Sequence, residues 1–426
     1  MNKRTPERVV VIGGGVVGAS TALALAERGL QVTLIERNAE LAEETSFANG
    51  GGVTPLHSEP WNAPGLLSKV VRNLGRADAP YRLSPLAVPG MGFWGLGFLR
   101  HMRPERYRAN ARRNIDLALY SLACLRQWRE RHSLEYRQIT AGSMQVYFSR
   151  ELMAESVQLR RELLKDRATI ETLDADQAVT REPALAGVRQ RLVGAIYFPD
   201  HESGDACQFS REAAARAEGL GARIHCETRV HSFRIEGGQF RAVVTDQGEF
   251  EADACVIAAG PESPTLARQV GLRLPIYPVR GYSATFRIDS TEALPTLPML
   301  DTSSRFVTVR LGENGFRVAG LADFAGRRRV IIPRRVESLL AGARRLLPGL
   351  AAELVSERAE LWAGMRPVTP DGVPLIGPTR KPGVFLNTGH GPMGWTMACG
   401  SAQMLAETIT GAKPELNVDD YGPGRF

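Results

Sequence analysis

The chain has 426 residues, enough for two or three domains around a large core. With 43% hydrophobic and 23% charged residues, its composition excludes a disordered, collagen-like or disulfide-scaffold protein. The net charge of +7 comes without a nucleic-acid-binding motif, and the five widely spaced cysteines form no CxxC pair, so we expect reduced thiols and no nucleic-acid partner.

The first part of the chain predicts a β-α-β unit. Residues 9–12 are a continuous β-branched run, typical of a buried parallel strand. A helix is predicted over residues 16–28, and Gly29 provides its C-cap. Residues 31–36 predict the second strand.

Between these strands lies a dinucleotide fingerprint, in which Gly13, Gly15 and Gly18 have the spacing GxGxxG. The glycines allow a tight turn, a close approach of the backbone to a pyrophosphate, and helix-on-strand packing. Glu36 stands where an acid binds a ribose hydroxyl, which argues against a 2′-phosphate. The fingerprint alone leaves FAD and NAD both open.

Further along, residues 43–65 form a polar loop long enough to be functional. An apolar run interrupted by glycines follows at residues 88–99, and a basic amphipathic helix is predicted over residues 103–132. The later segments predict strands over residues 226–233, 240–244, 255–258, 282–288, 306–309 and 316–319, and helices over 337–347 and 395–409, the last ending near Gly411.

Several later segments resemble the FAD-dependent D-amino acid oxidase superfamily, and within it the bacterial D-amino acid dehydrogenases of the small-subunit type. They are ETSFANGGG at 44–52, PWNAPG at 60–65, YPVRGYS at 277–283, WAGMRPVTPDGVPLIG at 362–377 and LNTGHGPMGWTMACG at 386–400. The resemblance therefore extends over nearly the whole chain.

The resemblance implies an α/β fold with two domains. A Rossmann-like FAD-binding domain is expected from residues 1–60, 195–275 and 360–426. A substrate-binding domain with a large antiparallel sheet is expected from residues 61–194 and 276–359.

The resemblance also implies non-covalent FAD, because residues 366–369 contain no cysteine and Cys399 lies inside a predicted helix. Glycines before that helix let backbone N–H groups approach a flat ligand, although a plain glycine-rich helix entry explains them too. The expected cofactor contacts are Gly13, Gly15, Val17, Gly18, Glu36, Arg37, Ser46, Asn49, Gly50, Gly51, Val230, Ala259, Gly260, Gly389, His390, Gly391, Met393, Gly394, Trp395 and Thr396.

Three residues are candidates for contact with the substrate. Arg366 corresponds to the family's carboxylate-binding arginine, and its planar guanidinium suits bidentate pairing, the alternative being a structural arginine. Tyr282 is expected to add a hydroxyl to the carboxylate or to cap the pocket, or else to be a core tyrosine. His390 is expected either beside flavin and substrate or in a structural role. His57 is a candidate pocket residue, Arg280 has no expected catalytic role, and no histidine pattern predicts a metal site.

The implied reaction is oxidative deamination of D-amino acids, D-proline and D-hydroxyproline included, to imino or 2-oxo acids. A hydride passes from Cα to flavin N5 and the electrons pass to a quinone-type acceptor. The alternatives are an oxygen-using glycine or sarcosine-type amine oxidase, a flavin-binding subunit without turnover, and an NAD-dependent dehydrogenase.

The sequence also indicates how the chain relates to a membrane. The start of the chain, residues 1–8, has no apolar signal core, and no run of about twenty apolar residues predicts a transmembrane helix. In the run 88–99, Phe93 and Trp94 precede a dense set of arginines, which suits an interface with anionic lipid. The alternative is an ordinary buried loop and helix. We expect a cytoplasmic chain with peripheral contact at the inner face of a bacterial membrane.

Overall fold

The structure is a computed structural model that describes residues 5–66, 68, 76, 79–164 and 167–426. Residues 1–4 of the polar start lie outside the described part. The strands are β1 Arg8–Ile12, β2 Gln31–Ile35, β3 Gly52–Val53, β4 Tyr81–Leu83, β5 Ser143–Tyr147, β6 Glu171–Asp174, β7 Gly194–Phe198, β8 Glu202–Ser203, β9 Arg223–His225, β10 Val230–Glu236, β11 Gln239–Thr245, β12 Gly248–Glu251, β13 Ala254–Ile257, β14 Tyr277–Arg287, β15 Met299–Asp301, β16 Phe306–Leu311, β17 Gly315–Phe324, β18 Glu360–Val368, β19 Leu375–Pro378 and β20 Val384–Thr388.

The helices connect and cover these strands. They are α1 Val16–Ala26, α2 Gly92–His101, α3 Pro104–His132, α4 Arg150–Leu164, α5 Ala175–Arg181, α6 Ala206–Gly219, α7 Ser263–Gln269, α8 Pro333–Leu346 and α9 Gly394–Thr410. Of the helices in the described ranges, none combines the length and the apolar character needed to cross a bilayer.

The fingerprint lies in a mainly parallel sheet with the strand order β19-β20-β13-β1-β2-β9. Strand β1 pairs in parallel with β13 on one side and β2 on the other, and only β19 is antiparallel to its neighbour. Helix α1 consists of small and apolar residues, all buried except Val17, because it is enclosed by α6 and α9. This arrangement holds the N-terminus of α1 at the carboxyl end of β1, as in other dinucleotide-binding folds.

A second, larger sheet has the order β18-β14-β17-β16-β15-β5-β7-β6, with β4 beside β17. It is antiparallel apart from the β15–β5 and β4–β17 pairs. Helix α8 packs its apolar face on this sheet through Val336, Leu339, Leu340, Ala343 and Leu346. A small sheet, β10-β11-β12, and the β3–β8 pair complete the strands of the described residues.

The predicted fold class is confirmed, and so is the long helix at 103–132, which is α3. The strand predicted over residues 226–233 is wrong in its first half, because β9 ends at His225 and β10 begins only at Val230. Between them Glu227 adopts φ +50°, and its N–H donates to the Asn38 carbonyl, so the backbone leaves the parallel sheet. The run at 88–99 forms a short 3₁₀ turn and then α2.

The predicted domain division stays a prediction. Strands β7 and β18 fall within segments that the prediction gives to the FAD-binding domain, and both pair within the larger sheet.

Candidate functional site

A cavity of about 990 Å³ is lined by residues from both large sheets. Of the predicted cofactor and substrate residues, all except Gly18 line this cavity. It also contains His57, the candidate pocket residue. The structure therefore brings the separate sequence motifs to one place.

The fingerprint glycines pack the strand, turn and helix together more closely than other residues allow. Gly13 has φ +109°, and a Cβ there would lie 2.8 Å from the Ala258 carbonyl oxygen. A Cβ on Gly18 would overlap the carbonyl oxygen of Gly13. Gly18 thus supports the turn by helix-on-strand contact, and this explains why it does not line the cavity.

Glu36 lies buried at the end of β2 and is fixed by backbone donors. One carboxylate oxygen accepts from the Gly14 N–H at 2.7 Å and the other from the Asn38 N–H at 2.9 Å. Each oxygen keeps further acceptor capacity for a ligand hydroxyl. Ser46 Oγ accepts from the Val16 N–H at 2.9 Å, which satisfies one of the free donors at the start of α1.

The C-terminal glycine-rich segment forms the wall around His390. Gly389 and Gly391 have φ of +81° and +56°, conformations that favour glycine. Burial lowers the pKa of His390 to about 3, so the ring is neutral at physiological pH. Its Nε2 has no hydrogen-bond partner among the described residues. Thr396 Oγ1, near the start of α9, accepts from the Thr54 N–H at 3.1 Å and ties the helix to the loop after β3.

Arg366 supplies a fixed cation on the cavity wall. Its guanidinium lies over Gly281, where a Cβ would overlap it, and 5.4 Å from the centre of the Trp61 ring. Nη1 donates to the Leu321 carbonyl at 2.8 Å. Burial lowers the pKa of Arg366 to about 10, so the group stays protonated at neutral pH. The remaining donors are available for an anion.

Tyr282 is fully buried within a hydrogen-bonded network. Its hydroxyl donates to Asp323 Oδ2 at 2.7 Å, and Asp323 Oδ1 pairs with Arg335 Nη2 at 2.8 Å. Burial, followed by the negative charge of Asp323, raises the pKa of Tyr282 to about 12. The ring packs in the core cluster under α8 with Val336 and Leu339, and Arg280 is a second hydrogen-bond partner of the hydroxyl. Arg280, on the same strand, donates to the Arg328 carbonyl.

The cavity wall also contains residues that the sequence did not single out. They include Glu59, Trp61, Tyr107, Gln145, Arg160 and Trp362. Each lies on a different loop, strand or helix from most of the others, so no local pattern connects them. Trp61 and Trp362 do fall within quoted segments, PWNAPG at 60–65 and the segment 362–377, but no role was predicted for either.

The residues present suit the ADP half of a dinucleotide and a flat ring system beyond it. A glycine turn faces the start of α1, Glu36 offers carboxylate oxygens to a ribose, and Gly389 and Gly391 form a cradle that a Cβ would strain. Within the described ranges no group of His, Cys, Asp or Glu is placed to hold a metal ion.

Comparison with known proteins identifies the family. The family model described as FAD dependent oxidoreductase matches residues 8–408, and the chain belongs to this family. The protein is therefore an FAD-dependent oxidoreductase. It is 41% identical to a protein of Paramagnetospirillum magneticum named D-amino acid dehydrogenase, over 98% of this chain and 99% of that protein. A protein of the same name from Dechloromonas aromatica is 40% identical, over 96% and 98% of the two chains.

Solved structures show the same fold. L-proline dehydrogenase from P. horikoshii matches with a TM-score of 0.77 at 18% identity, over 99% of this chain and 97% of that one. Glycine oxidase from Bacillus cereus matches with a TM-score of 0.73 at 23% identity, over 97% and 98% of the two chains.

Proposed function

We propose that this protein is a D-amino acid dehydrogenase. It would convert D-amino acids to imino acids, which water hydrolyses to 2-oxo acids and ammonia. The observation that carries the proposal is the position of Arg366, a partly buried cation on the wall of the cavity that Glu36, Gly13 and Gly15 also line. Full-length relatives named D-amino acid dehydrogenase support the same substrate class.

The residues that would hold FAD are those that line the nucleotide end and the ring end of the cavity. Glu36 would accept from the ribose, while the start of α1 and Gly15 would face the pyrophosphate. The segment from Gly389 to Thr396 would lie against the flavin. Val17, Arg37, Asn49, Gly50, Gly51, Val230, Ala259, Gly260, Met393, Gly394 and Trp395 would complete the walls. None of the five cysteines, all of which lie in the described ranges, is on the cavity wall, which supports non-covalent binding.

When bound, FAD supplies the hydride acceptor. Arg366 would hold the substrate carboxylate by charge-assisted hydrogen bonds, worth about 1.5–3 kcal/mol. Tyr282, whose hydroxyl is engaged by Asp323 and Arg280, would shape the wall of the pocket rather than bind the carboxylate through its hydroxyl. His390 would stay neutral and leave its unpartnered Nε2 beside the ring system. Together these groups would orient the Cα–H bond.

The test is the visible spectrum of the purified holoenzyme under anaerobic conditions. A panel of D-amino acids, including D-proline and D-hydroxyproline, is added and compared with the L-enantiomers. We expect D-forms alone to bleach the flavin band. A yellow protein bleached by glycine or sarcosine, but by no larger D-amino acid, would replace the proposal with an amine oxidase.

We also propose that the electrons pass to a quinone at an anionic membrane surface that the protein contacts peripherally. Helix α2 supports this proposal. Phe93 and Leu96 are 89% and 67% exposed, and Leu86 just before them is 93% exposed. Trp94, in contrast, is buried and donates to the Val368 carbonyl at 2.7 Å, so it anchors the helix to β18.

Exposed arginines border this apolar surface. Arg100 and Arg103 follow it directly, and Arg108 and Arg112 lie on the first turns of α3. Apolar side chains next to cations are typical of helices that lie in the interface of anionic bilayers.

Vesicle co-sedimentation tests the membrane contact. We expect binding to vesicles that contain phosphatidylserine and much weaker binding to phosphatidylcholine alone. The Phe93→Ser variant should lose binding, while Leu220→Ser, a change at an exposed leucine at the end of α6, should keep it. Oxygen consumption equal to the rate with an added quinone analogue would contradict the proposed acceptor.

A further inference from the structure

The cavity that Arg366 lines also contains a polar region formed by Glu59, Tyr107 and Arg160. Glu59 is two residues from Trp61, whose ring lies under the Arg366 guanidinium. Two residues span at most about 7 Å of chain. Arg366 and this polar region thus line one cavity, and the loop that carries Glu59 also carries the ring against Arg366.

The Glu59 carboxylate is poorly satisfied by the protein. Its nearest cation, Arg160 Nη2, is 3.6 Å away, longer than a hydrogen bond, and no hydrogen bond to Glu59 is formed within the part of the chain described here. Its side chain is 14% exposed and lines the cavity. A carboxylate so placed retains acceptor capacity for a donor that enters the cavity.

Tyr107 lies on α3 and is a neighbour of Glu59. It lines the cavity, and the Tyr107 pKa is raised by burial and then by the Glu59 charge, so the phenol stays protonated. Its hydroxyl is a donor as well as an acceptor. Glu59 and Tyr107 together thus offer one strong acceptor and one donor.

Arg160 balances the charge of Glu59. It is 5% exposed, and Nη1 donates to Ser156 Oγ at 2.5 Å. His57, which also lines this part of the cavity, is held neutral because burial, followed by the charges of His201 and Arg160, lowers its pKa. A charged substrate side chain would find no uncompensated counter-charge in this region. An apolar substrate side chain would offer Glu59 no hydrogen-bond donor.

We propose that Glu59 and Tyr107 bind the side chain of the substrate and select D-amino acids with a neutral hydrogen-bonding side chain, an amide above all. An amide would donate its NH₂ to Glu59 and accept from the Tyr107 hydroxyl. Arg160 is a positioning residue that holds the Glu59 charge in balance. This inference rests on the proposed oxidation of D-amino acids.

The test compares kcat/KM for D-asparagine with kcat/KM for D-leucine, whose side chain has nearly the same shape. D-lysine and D-aspartate test charged side chains, and D-alanine is the reference. The wild type should prefer D-asparagine to D-leucine by about tenfold or more, because hydrogen bonds to charged groups contribute most. Glu59→Leu should abolish this preference. Tyr107→Phe should reduce it by about three- to tenfold, with each rate expressed relative to that of D-alanine for the same variant.

Tyr120→Phe is the matched control, since Tyr120 lies on the same helix but packs against the core beside α1. Arg160→Gln, which keeps a donor for Ser156, should shift preference towards D-lysine because Glu59 is then uncompensated. If D-alanine is not oxidised, the proposed function itself fails. If D-alanine is oxidised but the wild type prefers D-leucine or D-lysine, or both variants keep the wild-type ratio, the side-chain site is refuted.

Discussion

Replacing Gly281 with alanine tests the role of Arg366 without touching Arg366 itself. A Cβ at this position would overlap Cζ and both terminal nitrogens of the guanidinium. The end of a flexible side chain moves more readily than backbone, so we expect the guanidinium to shift while the sheet stays intact. Displacement of one charge-assisted, bidentate contact should cost about 1.5–3 kcal/mol, which is about 13- to 160-fold in kcat/KM.

The assay is reduction of the bound flavin by D-alanine in a stopped-flow instrument, together with flavin content and thermal unfolding. Gly219→Ala is the matched control, because a Cβ there meets nothing within 4 Å. Normal flavin content, a nearly unchanged Tm and a reduced kcat/KM would support the carboxylate clamp. An unchanged kcat/KM in Gly281→Ala would refute it, since the guanidinium cannot keep its position.

Three further predictions follow from buried polar groups. Glu36→Ala removes the acceptor for two backbone N–H groups and for a ribose, so retention of FAD after dialysis should fall at least tenfold, measured as the ratio of flavin to protein absorbance. The pKa of His390 is lowered by burial to about 3, against about 6.5 in an unfolded chain, so its contribution to stability is present above pH 6.5 and is lost as the pH falls towards 3. At pH 4.5 this loss amounts to about 3 kcal/mol, and His390→Asn should show a smaller fall in stability between pH 6.5 and 4.5 in urea unfolding. Asp323→Asn removes the carboxylate that pairs with the buried Arg335 and should lower the free energy of unfolding by about 3–5 kcal/mol, measured by urea titration.

The nucleotide end of the cavity could be predicted from the sequence because its signals are local. Gly13, Gly15, Gly18 and Glu36 belong to one β-α-β unit, and their spacing is fixed by the geometry of a strand, a turn and a helix. The segment from Gly389 to Thr396 is equally continuous. The positions of these residues in the structure follow from short stretches of chain.

The substrate end could be predicted only in part, because it depends on long-range register. Arg366 and Tyr282 were found by resemblance, but the donation from Tyr282 to Asp323 depends on the pairing of β14 with β17. Glu59 and Arg160 lie on separate elements and meet only in the folded chain. No periodicity in the sequence predicts this contact.

The network around Asp323 connects the substrate end of the cavity to a helix that does not line it. Arg335, on α8, pairs with Asp323 and also donates to the Ala79 carbonyl at 2.6 Å, and Asp323 accepts from Tyr282. The hydrogen bond of Tyr282 is therefore held by an arginine on the helix that covers this face of the sheet. If Arg335 is removed, Asp323 loses the cation paired with Oδ1, and the carboxylate that accepts from Tyr282 is no longer fixed in orientation. A substitution at α8 would then alter the hydrogen bonding of a residue that lines the cavity, although no residue of α8 lines it.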